Sequence, residues 1–97
     1  MEFPLPDKYR VRVILHECGE PFMTRAQARS IIEGKDGCFH LILDYTNIQE
    51  IGEDFADEIY NIFAKKNPQV RIKSENMSKK VRKIIEKASK MTAVLAL

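Results

Sequence analysis

Cys38-Phe39-His40-Leu41-Ile42-Leu43-Asp44-Tyr45 is nearly continuous apolar sequence with an acid near its far end. A run of that kind suits a central strand covered on both faces. Asp44 marks the strand's C-terminal end, and Thr46 to Ile51 reads as the loop that follows. A helix then begins near Gly52, with Phe55, Ile59, Ile62 and Phe63 as its buried stripe. Glu53, Asp54, Asp57 and Glu58 crowd its first turns and Lys65 and Lys66 its last, an order that complements the helix dipole. Asn67-Pro68 stops it, because the residue before proline is driven out of the helical region.

Upstream, Tyr9, Val11, Val13 and Leu15 alternate with Arg10, Arg12 and His16, the period-two pattern of a strand with one buried face. Gly19 and Pro21 punctuate a turn or a short second strand. Thr24 and Gln27 have the spacing of a capping box, and Ala28, Ile31 and Ile32 repeat at helical spacing. Gly34 closes that helix in the left-handed conformation. Downstream, Val70 and Ile72 alternate with Arg71 and Lys73 in a short strand. Asn76 or Ser78 caps a last helix whose Met77, Val81, Ile84, Ile85 and Ala88 face inward. The expected architecture is therefore α/β, a small mixed four-stranded sheet with three helices packed on it, joined by right-handed crossovers. Residues 1–7 read as a flexible lead-in, 8–90 as one domain, and 91–97 as an apolar C-terminal extension that continues the spacing of the last helix.

The 97 residues are enough for one core. An apolar fraction of 44% and a charged fraction of 31% are those of an ordinary globular protein. No apolar run approaches the roughly 18 residues of a membrane span, and the N-terminus lacks a secretory pattern. Cys18 and Cys38 are too few for a disulfide framework, so the reading is of free thiols in a reducing cytoplasm. The net charge of +2 hides a lopsided distribution: six acids and no bases from Asp44 to Glu58, ten bases and two acids from Lys65 to Lys90.

Three blocks carry a family resemblance: 22–29 (FMTRAQAR), 41–45 (LILDY) with 51–59 (IGEDFADEI), and the Asn67-Pro68 stop followed by 70–85. Over residues 20–88 the chain resembles the bacterial STAS-like domain family of unknown function. That family is distantly related to sulfate-transporter and anti-sigma-factor-antagonist (STAS) domains. The resemblance implies a STAS-like fold in a bacterial or phage regulatory system, with a histidine-kinase-like ATPase or another regulator as protein partner, and no established activity. In the antagonists a serine at the helix start after the aspartate-ending strand is phosphorylated. Here Glu53 or Asp54 stands there, and no Ser or Thr lies between Thr46 and Ser74, so the phosphoswitch does not carry over.

The expected partner-binding residues are Asp44, Thr46, Asn47, Gln49, Glu50, Glu53, Asp54 and Asp57, because ligands of open α/β sheets gather beyond the carboxyl ends of the strands. Asp44 has a second role open to it, ordering the turn by accepting from loop N–H groups. The alternative reading is a nucleic-acid contact through Lys79, Lys80, Arg82, Lys83 and Lys87 on the last helix, although no aromatic residues are interleaved there to stack bases. His16 and Cys18, with Cys38 and His40, would surround a zinc ion if their segments ran side by side in opposite directions; a structural role for all four is the plainer reading. No Gly-x-Ser-x-Gly elbow and no phosphate-binding glycine motif is present. Neither a cofactor, a metal nor a catalytic residue is expected.

Overall fold

The computed structural model describes residues 10–19 and 22–96, with side chains to residue 89. Three parallel strands lie in sequence order: β1 (Arg10–Ile14), β2 (His40–Asp44) and β3 (Arg71–Glu75). The register runs Arg10–His40–Arg71 across one end to Ile14–Asp44–Glu75 across the other. The helices are α1 (Arg25–Ile32), α2 (Glu53–Asp57) continuing through a π-helical stretch (Glu58–Phe63) into α3 (Ala64–Lys66), and α4 (Lys79–Ala96).

The mixed four-stranded sheet expected from the sequence is thus corrected to three parallel strands among the described residues. Among the described residues the segment after β1 does not turn back as a strand; Pro21, paired with Gly19 in the expected turn or short second strand, lies outside them. Leu15–Glu17 form a single 3-10 turn, with the Cys18 N–H donating to the Leu15 carbonyl at 2.8 Å and Leu15 buried beneath.

A second correction concerns β2. The chain steps from β1 to β2 to β3 in one direction, and right-handed crossovers that step the same way put their helices on the same face. Accordingly α1 packs against α2, and α4 packs against α2 and the π stretch. Leu41 and Leu43 are wholly buried under this layer, whereas His40, Ile42 and Asp44 on the other face are only half-buried. β2 is central, but among the described residues it is covered on one face only. The neighbouring strands repeat the alternation, with Val13 buried and Arg10, Arg12, Arg71 and Lys73 exposed.

The local signals behave as their chemistry dictates. Thr24 Oγ1 accepts from the Gln27 N–H at 3.2 Å while Gln27 Oε1 accepts from the Thr24 N–H at 3.0 Å, a closed capping box. Gly34 takes φ 75°, which a side chain would disfavour. Asn67 stops α3 and donates through Nδ2 to the Phe63 carbonyl at 3.1 Å. Ser78 Oγ accepts from the Val81 N–H at 3.1 Å, which makes it the cap of α4.

The π stretch alters the second helix's buried stripe. Hydrogen bonds from i to i+5 widen the turn, so residues five apart approach the same side. Phe55, Ile59 and Phe63 are buried as their spacing predicts, but Tyr60 and Glu58 join them and Ile62 is only half-buried. Tyr60 completes a hydroxyl chain, 2.7 Å from Tyr45 on one side and 2.5 Å from Ser74 of β3 on the other. Burial pushes the Tyr60 phenol up to about 12 and Tyr45 well above the ordinary range, so both are neutral and each oxygen is satisfied.

Leu43→Ala removes a side chain with no solvent exposure from the strand that the core is built on. The expected cost is about 2–5 kcal/mol, read as a lower urea midpoint with an unchanged slope. A loss below half a kcal/mol would contradict this placement.

Candidate functional site

The loop after β2 is built from Asp44 outward. Its Oδ1 accepts from the Thr46 hydroxyl at 2.6 Å, the Thr46 N–H at 3.0 Å and Asn76 Nδ2 at 3.1 Å, and Arg12 lies 3.5 Å from the other oxygen. These donors, the Thr46 hydroxyl foremost and Asn76 next, hold the carboxyl down at about 2. Asp44 therefore orders the turn, and Asn47 crosses it at φ 65°, a left-handed conformation that asparagine tolerates. Ile48 and Ile51 plug into the core, so Thr46, Asn47, Gln49 and Glu50 face solvent.

Two further ties fix the loop. Ser78 Oγ donates to the Gln49 carbonyl at 2.9 Å, joining the loop to the start of α4. The Gly52 N–H donates to the Phe22 carbonyl at 2.9 Å, joining it to the segment before α1. That approach is so close that a Cβ on residue 52 would lie 2.5 Å from the Met23 carbonyl oxygen and 2.9 Å from its Cα.

The acids of the second helix do not project together with the loop. Asp57 accepts from Arg25 at 2.7 Å and from Asn61 at 2.8 Å; Asn61 first and Arg25 second lower its pKa. Asp54 lies 3.4 Å from Arg25, and Glu53 accepts from Lys87 of α4 at 3.0 Å. Glu53, Asp54 and Asp57 thus line a cleft of about 280 Å³ between α1, α2 and α4, walled also by Arg25, Lys87, Ile84 and Ala88. Glu58, beneath it, is buried with Arg29 at 3.3 Å and Arg25 at 3.7 Å. The sequence run of acids concealed this, because the neutralising guanidiniums come from α1, about thirty residues upstream.

On α4, Lys79, Lys80, Arg82 and Lys83 are exposed, and among the described residues Lys87 alone of the helix's basic groups is ion-paired. The segments of the zinc arrangement weighed above do not run antiparallel: β1 and β2 are parallel, so His16 and Cys18 follow the far end of β1 while Cys38 and His40 stand at the start of β2. No cluster of three metal-ligating groups occurs among the described residues. No helix among them is long and apolar enough to cross a membrane.

The feature missed at the sequence level is the open face of the sheet. Arg10, Arg12, His40, Arg71 and Lys73 all stand on it, with Asp44 and Glu75 at its C-terminal end. Their alternation along β1 and β3 was visible, but their convergence depends on the strand order.

No family model matches the chain, and neither a curated protein nor a solved structure does.

Two expectations follow. Asp44 has a folded pKa near 2, below the ordinary carboxylate value of about 3.9, so its stabilisation is complete above that value and is lost as pH falls through 2. The stability gap between the native chain and Asp44→Asn should therefore narrow between pH 4 and pH 2 in urea titrations; a gap independent of pH would contradict it. For Gly52→Ala, the unfolded-state gain of about 0.4–1 kcal/mol is outweighed by a backbone clash of about 1–3 kcal/mol. The variant should unfold at lower temperature than the native chain.

Proposed function

We propose that the chain is a non-catalytic protein-interaction module of a bacterial or phage regulatory system, recognising its partner through the 46–50 loop and the adjoining start of α2. One observation carries this reading. The loop is held at the carboxyl ends of the parallel strands by Asp44, Ser78 and the buried Ile48 and Ile51, while Thr46, Asn47, Gln49 and Glu50 are exposed. A surface already ordered before binding loses little entropy on association. The resemblance to STAS-like domains makes a histidine-kinase-like ATPase the first partner to try.

Within the edge, Thr46, Asn47, Gln49 and Glu50 present unengaged side-chain surface better than Glu53, Asp54 and Asp57 do, apart from the Thr46 hydroxyl bound to Asp44. Glu53 and Asp54 flank the loop, each shared with a cation. Asp44 and Asp57 act from behind, as supports of the loop and of the α1–α2 contact. With no hydroxyl at the helix start, regulation comes from partner availability or from another site rather than from phosphorylation there.

The experiment compares the native chain with Gln49→Lys/Glu50→Lys as baits in the native host, followed by affinity measurement with the captured protein. The Ser78 bond reaches the Gln49 backbone, so the double variant should keep its circular dichroism spectrum. Binding should weaken at least about tenfold, a loss of roughly 1.4 kcal/mol. Equal affinity in the folded variant, or no specific capture by the native chain, would count against the reading.

A further inference from the structure

We propose that the open face of the sheet is a binding surface for single-stranded nucleic acid, with Arg10, His40 and Arg71 as its principal phosphate contacts. The one-sided helix layer leaves this face without a covering element among the described residues, and the register sets its chemistry row by row. The first row is Arg10, His40 and Arg71, with Arg10 and Arg71 exposed and without an ion pair among the described residues. The second is Arg12, Ile42 and Lys73. The third is Ile14, Asp44 and Glu75.

Glu75 accepts from Arg12 and lies 3.5 Å from Lys73, so the second row is partly neutralised by the third. The first row is not. Neighbouring strands are about 4.8 Å apart, so two arginines flank a histidine across about 10 Å with no carboxylate in their row. The positive charge of the two arginines is left for an anion to meet. The face as a whole, with four permanent cations against two carboxylates and a histidine besides, is complementary to a polyanion.

The shape favours a single strand over a duplex. The major groove is about 12 Å wide and admits a helix or a two-stranded ribbon. Three strands with long side chains on them are too broad to enter it. An extended strand can instead lie flat on the sheet, phosphates along the basic row and bases toward the apolar positions. Ile42 and Ile14 offer a half-buried apolar surface. Without an aromatic residue on the face itself, affinity rests mainly on phosphate contacts and should fall steeply with salt.

This surface is separate from the 46–50 loop, and its test leaves that loop untouched. Fluorescence anisotropy is measured with a labelled mixed-sequence single-stranded RNA, its DNA equivalent and a duplex of the same length, across a salt series. Arg10→Gln/Arg71→Gln removes the two exposed arginines of the first row. Lys79→Gln/Lys80→Gln/Lys83→Gln removes more charge from α4 and serves as the control. At about 0.7 of a logarithmic unit per phosphate contact on a single strand, losing two contacts should lower the salt slope by about 1.4 and weaken binding roughly 25-fold at 0.1 M salt. The α4 variant should remain within about threefold of the native chain, and the duplex should bind more weakly than either single strand. Equal losses in the two variants, no binding by the native chain at low salt, or a dimer in sedimentation velocity that Arg10→Gln/Arg71→Gln abolishes would each overturn the proposal. Circular dichroism and urea unfolding of both variants separate a binding defect from a folding one.

Discussion

Two right-handed crossovers that step the same way across a parallel sheet leave the chain no choice of face for its helices. Both connections, β1 to β2 and β2 to β3, move in one direction, so α1 and the second helix stand side by side and α4 completes the layer against the latter. Every later feature depends on that asymmetry. The core is a single slab between this layer and Val13, Leu41 and Leu43, and Tyr45, Tyr60 and Ser74 bond through their hydroxyls inside it. The π stretch fits the same demand: a wider turn brings Tyr60 down to the sheet, where its hydroxyl has partners, and brings Glu58 to two arginines of α1.

The charges are sorted by the same arrangement. Along the chain, the acids of the 44–58 stretch stand apart from the bases that follow. In three dimensions most of those acids are engaged. Arg25 lies against Asp54, Asp57 and Glu58, and Lys87 closes on Glu53. Exposed pairs of this kind add little stability each, but they align α1, α2 and α4. Glu58 is the exception in kind, since a buried carboxylate that lost its guanidiniums would be an uncompensated charge. With the acids held between helices, the first row of the open sheet face is left basic.

Loop order has three independent sources that meet between 44 and 52. Asp44 closes the turn, Ser78 reaches in from the cap of α4, and Gly52 lies against the backbone of Phe22 and Met23. Ser78 thereby serves two elements at once, donating to the loop and accepting from the first turn of its own helix. The exposed loop side chains are consequently presented by backbone that three elements hold in place.

The sequence by itself determined the local structure, because that depends on neighbours a few residues away. The Thr24–Gln27 capping box, the left-handed Gly34, the Asn67-Pro68 stop and the burial of Leu41 and Leu43 all follow from short-range chemistry. A cap at the start of α4 was legible too, but the choice of Ser78 over Asn76 was not. So does Asp44 as the organiser of its turn, since two of its donors come from Thr46, two residues on. The number of strands and the sides of the sheet were not legible. An apolar run such as Phe39 to Leu43 reads the same whether one face or both are covered, and here Ile42 faces outward. Which acids stay available was equally hidden, because Arg25 and Lys87 reach them across about thirty residues of sequence. The i to i+5 turn that buries Tyr60 in place of Ile62 leaves no periodic signature. Strand order and helix packing alone bring Arg10, His40 and Arg71 into one row, since these residues lie thirty and thirty-one positions apart and no local interaction joins them.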